Sequence, residues 1–389
     1  MRRRVTSHAV AVIAALGLLQ GSAAGPQAAP PGSGALTAEL DALARQADVA
    51  REAGRLDEAE RLYQQVLKQR PRWAPGWAHV GTMAYERDRY RDCRGAFRRF
   101  VALDASSGPA WALEGLCEFE LEAYVASRRS LDRALERGVP KATLLPVVLY
   151  HAALLRIRAS EFEAAIPPLT ELATARVETA ELQAACGLLL LRRPQLPKDV
   201  AAADRELVTR AGRAYCEYLA RRGPEARAHY AELLADHPRQ EHLHYGYGLL
   251  LAQLADPAAA DQFRREIELY PGHALAHLEL AFELLRRGQA KTAIAPAQAA
   301  VKLAPGLFAA HLALGRALVE GGDLARGIVE LETAARLAPG VRETHWALAA
   351  AYTSAGRAAD AQRARGVVRK LDALSRERTP AAPSAAAKP

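Results

Sequence analysis

The sequence predicts an all-α fold of stacked helix hairpins, and three observations carry the prediction. One pattern returns at a step of 34 residues. It reads His277, Leu280, Ala281, Leu284, Gly288, Ala293, Ala297, Ala300, Pro305, then His311, Leu314, Gly315, Leu318, Gly322, Gly327, Leu331, Ala334, Pro339, then His345, Leu348, Ala349, Tyr352, Gly356, Ala361, Val368. In each copy two apolar stripes of helical period flank a glycine turn, and the full copies close on a proline where a new helix must start. Composition agrees, since 50% of the 389 residues are hydrophobic and only 6% aromatic, as suits helices packed closely through small side chains. Such an array has no single core, so chain length sets the number of units rather than of domains.

Taken in order, residues 1–24 read as a secretory signal peptide. Arg2, Arg3 and Arg4 precede an apolar run over 5–19 that is too short to span a bilayer, and Ser22-Ala23-Ala24 gives a small-x-small site with cleavage after Ala24. No cysteine precedes Cys93, so the lipoprotein route is closed, and Thr6 stands where twin-arginine export expects an apolar residue. Residues 25–37 are expected to form a flexible leader, of Gly, Pro, Ala and Ser with one Gln up to Gly34. The repeat array is placed at 38–371, with its cleanest copies at 274–371, and 372–389 are expected to be a disordered tail.

Within the array the first hairpin carries Ala47, Ala50, Gly54, Ala59, Tyr63, Val66 and Pro71. The second carries Trp77, Val80, Gly81, Ala84, Tyr90, Cys93, Phe97 and Phe100, and the third Trp111, Gly115, Tyr124, Ser127, Leu131 and Ala134. In that third unit Glu114 and Glu118 occupy apolar columns, where they are either solvated by a local shift of register, the preferred reading, or paired with nearby arginines. From 141 to 197 the pattern loosens, with Phe162, Ala165, Leu169 and Leu172 on one helix and another over 180–191 stopped by Pro194 and Pro197. It recovers at Ala226, Tyr230, Leu233 and Pro238, and again at Leu243, Gly246, Ala259, Phe263 and Pro271, for about nine hairpins in all.

Trp77 and Trp111, Gly81, Gly115 and Gly315, Ala293, and Pro305 and Pro339 fall on one set of columns, Trp-x-x-Leu-Gly-x-x-Tyr followed by Ala-x-x-x-Phe, Ala and Pro. In these columns and in its period the chain resembles the tetratricopeptide repeat family. The resemblance implies a right-handed α-solenoid that binds protein through a concave groove and has no catalytic role. The family's groove is lined by the first helix of each repeat, which on this sequence selects Leu278, Phe282, Leu285, Leu312, Arg316, Val319 and Trp346. Co-chaperone members clamp a C-terminal carboxylate with Lys and Asn. Those places hold Leu278 and Phe282, or Ala78 and Thr82, so that role is rejected. The glycine and alanine columns lie where paired helices meet, and a large side chain there is expected to cost roughly 1 to 3 kcal/mol.

His277, His311 and His345 form a ladder, and His273 with His277 has the i, i+4 spacing of helical metal sites. The same column holds Trp77 and Trp111, so the expected job is a flat ring filling the hairpin interior; no metal is expected there, nor at His237, His242 and His244. Cys93, Cys117, Cys186 and Cys216 include no Cys-x-x-Cys pair, which excludes metal knuckles and thioredoxin chemistry. Cys93 and Cys117 lie on helices that should pack together, so a disulfide is open, with buried free thiols the default. No phosphate loop, Gly-x-Ser-x-Gly, His-Glu-x-x-His or dinucleotide fingerprint occurs, and no cofactor is expected.

The net charge of +8 includes the three signal-peptide arginines, and basic and acidic residues otherwise interleave as on a solvated helix face. Nucleic acid would want a basic stripe, with aromatic platforms if single-stranded, so it is not expected as a partner, nor is a membrane span in the mature chain. The reading is an exported, periplasmic or secreted, non-enzymatic scaffold that binds a protein partner, in the context of cell-envelope assembly. The alternative is a module binding carbohydrate or an anionic polymer through its arginines, in polysaccharide export or wall synthesis.

Overall fold

The computed structural model of the protein describes residues 34–378, all helix and connecting turn; the signal peptide and most of the expected leader and tail lie outside them. The chain divides after Arg221 into two compact units. The first holds α1 (Gly34–Glu52), α2 (Leu56–Gln69), α3 (Ala74–Glu86), α4 (Tyr90–Leu103), α5 (Gly108–Glu120), α6 (Tyr124–Arg137), α7 (Leu145–Arg158), α8 (Phe162–Thr174), α9 (Ala180–Leu190) and α10 (Arg205–Leu219). The second holds α11 (Gly223–Asp236), α12 (Leu243–Gln253), α13 (Ala259–Leu269), α14 (Ala274–Arg286), α15 (Ala290–Leu303), α16 (Phe308–Gly321), α17 (Leu324–Leu337), α18 (Arg342–Ser354) and α19 (Ala358–Arg378). In the first unit the helices pair consecutively, α1 with α2 through α9 with α10; in the second, α12 to α19 pair likewise and α11 packs on α12. The helical chain therefore starts inside the expected leader, at Gly34, on a helix that buries Leu40, Ala47 and Ala50 further along. It also ends beyond Leu371, where Arg342 reaches Asp372 at 3.4 Å and ties α19 back to α18.

The core is a series of small clusters, each shared by neighbouring hairpins. One gathers Phe97, Leu113, Leu116, Leu131 and Val148 from α4 to α7; another gathers Leu278, Ala297, Ala310 and Leu314 from α14 to α16. Small residues let the helices meet. A Cβ on Gly81 would lie 2.7 Å from the Phe97 ring, one on Gly115 2.8 Å from Leu131, and one on Gly315 2.7 Å from Leu331, while Ala293 is fully buried.

Each hairpin turns on a residue in the left-handed region. Gly54, Gly288, Gly322 and Gly356 fill that place with φ of 69 to 102°, but Asp88, Glu122, Ser160, Arg192 and Ala255 fill it elsewhere with φ of 49 to 61°. The glycine turns were visible as glycines; the others carry no such mark, because hairpin packing imposes a conformation their side chains disfavour.

Three expectations are corrected. Glu114 and Glu118 are not solvated: α5 keeps its register, and both are buried. Glu118 accepts a hydrogen bond from Ser130 Oγ at 2.8 Å, and Glu114 sits 3.7 Å from Arg98 Nε. Two serines on α6 make the room, the other being Ser127, which donates to Gly115 O at 2.7 Å. For Cys93 and Cys117 the default of free thiols also gives way. Cys93 of α4 is bonded to Cys117 of α5, Cα atoms 6.1 Å apart, and Cys186 of α9 to Cys216 of α10, Cα atoms 5.9 Å apart. In each case two packed helices bring the cysteines within bridging distance.

The third correction concerns the histidine ladder, whose rings do more than fill space. Nε2 of His277, His311 and His345 lies 2.9 to 3.0 Å from the carbonyl oxygens of Pro271, Pro305 and Pro339, six residues upstream. His244 repeats the contact with Pro238 at 3.1 Å. Trp77 and Trp111 donate Nε1–H to Pro71 and Ala105 in the same way, with Arg99 and Arg133 over their ring faces. The column therefore selects a ring N–H at fixed reach, which Trp and His both offer and Phe does not. It ties the turn entering each hairpin to the helix that follows.

Candidate partner-binding groove

In the second unit α14, α16 and α18 are the first helices of three successive hairpins. A step of 34 residues returns a side chain to the same face, so Phe282, Arg316 and Ala350 stand in one column and Leu312 and Trp346 in another. These five, with Val319, Glu320, Leu331, Arg342, Glu343 and Ala347, line an open cavity of about 560 Å³. Its floor is apolar. Its rim carries both signs of charge: Arg316 pairs with Glu320 at 3.2 Å, and Arg342 approaches Glu343 at 3.8 Å as well as Asp372.

The seven residues selected from sequence do not share one surface. Leu278, Leu285 and Leu312 are buried, whereas Phe282, Arg316 and Val319 are half-buried and Trp346 is 59% exposed. Leu278 packs under Ala310, Ala313 and Leu314 of α16, and Leu285 lies in the cluster of Phe263 and Leu280. Leu312 contributes one edge to the cavity but is held in the cluster of Leu331, Leu348 and Ala351. In that column each residue is covered by the next hairpin's first helix. Trp346 is left open because no described helix follows the α18–α19 hairpin to cover it. The groove thus narrows to the α16–α18 end, with Phe282 at its far wall.

One further cluster was missed from sequence. His242, Glu266 and His273 come from three different segments of the second unit and meet with ligand-type atoms within 4.8 Å of one another. The spacings that suggested metal sites, His273 with His277 and His242 with His244, point elsewhere, since His277 and His244 are engaged with proline carbonyls. Only the stacking of α13 between the α12 and α14 starts brings the trio together.

The model of the tetratricopeptide repeat matches residues 217–274 of the chain. Over those residues the chain carries a tetratricopeptide repeat. Its repeats build the kind of scaffold that serves as a protein-binding adaptor, and such scaffolds are generally non-enzymatic. Solved structures similar to this chain include MamA 41-end from Desulfovibrio magneticus RS-1. It is 28% identical over 40% of this chain and 89% of that one, with a TM-score of 0.36. YrrB, described as a TPR protein with an unusual peptide-binding site, is 11% identical over 72% of this chain and 95% of its own, with a TM-score of 0.24. The Naa15/Naa10 complex bound to HypK-THB is 14% identical over 87% of this chain and 64% of that one, with a TM-score of 0.30. No curated protein matches the chain. No helix among the described residues is long and apolar enough to cross a membrane.

Proposed function

We propose that this protein is a non-enzymatic scaffold acting outside the cytoplasm, in cell-envelope assembly, and that it holds a protein partner in the groove of α14, α16 and α18. The observation that carries the reading is Trp346, a large aromatic side chain 59% exposed at the mouth of an apolar cavity. A lone exposed apolar residue is ordinary, but an aromatic ring over an apolar pocket rimmed by charge is the make-up of a binding hot spot. Export is supported by the 1–24 segment and by two cysteine pairs that are bonded, a state that persists in oxidising compartments.

Trp346→Ala should abolish capture of the protein that the wild type retains from envelope extract, and leave the melting midpoint within a degree or two. Phe282 is a poorer probe than its column suggests, because it packs on two core clusters, and Leu312→Ala should instead destabilise by about 2 to 5 kcal/mol. Undiminished capture by Trp346→Ala would remove this groove as the site. Retention that fades steeply as salt rises, with Trp346→Ala unaffected, would favour the anionic-polymer reading. Separately, protein recovered from its native host should begin at or near Gly25 by intact mass; a product retaining Met1 would sink the export reading.

A further inference from the structure

We propose that His242, Glu266 and His273 form a binding site for one divalent transition-metal ion of zinc's chemistry, independent of the groove. Glu266 of α13 has no exposed surface, and among the described residues its only ion-pair partner is His273, at 3.0 Å from Nδ1 to Oε1. Its other contacts are the backbone N–H groups of His242 and Tyr245, which donate at 2.8 and 3.1 Å. These bonds cap the start of α12. His273 is 8% exposed, and the ring nitrogen that it turns to the carboxylate and offers to an ion is Nδ1.

The ring of His242 stands edge-on to that of His273, centroids 4.6 Å apart and planes at 85°. His242 reaches this place through a backbone φ of 72°, the left-handed region that a non-glycine residue enters at a cost. Two imidazoles and one carboxylate are the ligand types that zinc takes at about 2.0 to 2.2 Å. Three donor atoms at those distances from one ion lie roughly 3.3 to 3.5 Å apart by tetrahedral geometry. The 4.8 Å limit on the present separations therefore asks only for small rotations of the two rings. The His242 ring keeps some contact with solvent, 12% of its side chain, which gives the ion a way in. An ion here would join the α12 start, α13 and the turn before α14, and so staple two neighbouring hairpins.

The test uses the full-length, tag-free protein. Titrated with Co²⁺, it should develop the visible absorption of a tetrahedral nitrogen and oxygen site at one equivalent, displaced by Zn²⁺, and Zn²⁺ should raise its melting midpoint. His242→Asn, which keeps a residue tolerant of the left-handed backbone, and His273→Gln should each weaken Zn²⁺ binding by more than the 10- to 100-fold that changes around a site's ligands typically cost. His277→Gln, whose ring sits on the Pro271 carbonyl, should bind as wild type. Absence of a one-equivalent Co²⁺ spectrum overturns the site. So does a His242→Asn variant that folds and binds Zn²⁺ as tightly as wild type, whatever becomes of His273→Gln.

Discussion

Gly212→Ala should lower the melting midpoint of the first unit more than any other single-methyl change among its described residues. α9 and α10 cross backbone to backbone: a Cβ on Gly212 would sit 1.6 Å from Gln183 O and 2.7 Å from Gly187 N, and one on Gly187 1.9 Å from Val208 O. No rotamer relieves a clash with a carbonyl, so the two helices must separate, against the Cys186–Cys216 disulfide that straps the same pair. The cost is expected at the top of the overpacking range, about 3 kcal/mol, or roughly 6 to 12 °C for a unit of this size. Gly315→Ala is the comparison. Its added methyl meets the Leu331 side chain at 2.7 Å, and a leucine can turn aside, so the loss should be smaller. Thermal melts by circular dichroism separate the two. Equal midpoints for wild type and Gly212→Ala would mean that the crossing is not closed as described.

The second large effect is a pair of opposed pH dependences in the first unit. Burial, reinforced by the neighbouring Glu118 carboxylate and opposed by Arg98, Arg133 and Arg94, pushes Glu114 up to about 7. The unfolded chain releases that proton near the ordinary 4.5, so the folded state binds more protons in between. Stability therefore falls as pH rises from about 4.5 to 7, by about 3 kcal/mol at 1.36 kcal/mol per pKa unit. His79 does the reverse. It is stacked on Tyr63 at 4.7 Å and pushed down to about 4 by burial, with Asp48 opposing and Arg51 adding to the fall. The unfolded histidine binds its proton below about 6.5 while the folded one stays neutral, so stability rises with pH from about 4 to 6.5, again by about 3 kcal/mol.

Between pH 4.5 and 6.5 these two slopes oppose each other. Glu114→Gln should therefore unmask a stability that climbs with pH, and gain most over wild type above pH 7. His79→Phe, which keeps the stack on Tyr63, should unmask one that declines. Melting midpoints measured across pH 4 to 8 would contradict this if both variants ran parallel to wild type.

Glu114 also marks the limit of reading by pattern. A carboxylate in an apolar column was taken as a sign of slipped register. In the structure the register holds: Glu114 lies 3.7 Å from Arg98, and its neighbour Glu118 accepts a hydrogen bond from Ser130 across the hairpin, a residue whose small size carries no obvious message in the sequence. The partner groove was half legible. Its column spacing follows from the 34-residue step, so Phe282, Arg316 and Trp346 were found with Leu278, Leu285 and Leu312, but their exposures could not be told apart.

What the sequence determined by itself is local and periodic: helices paired about glycine turns, small residues at Gly81, Gly115, Gly315 and Ala293 where backbones must approach, and prolines that end each unit. These follow from backbone sterics and from the 3.6-residue period, which act within a few turns of chain. Tertiary structure alone decided the rest. It set which member of a column is covered by the next hairpin, which cysteines pair, which non-glycine residues are driven into left-handed turns, and that His242, Glu266 and His273 meet. Burial and side-chain meeting depend on the neighbouring repeat, and a side chain's own repeat says nothing of whether that neighbour is there.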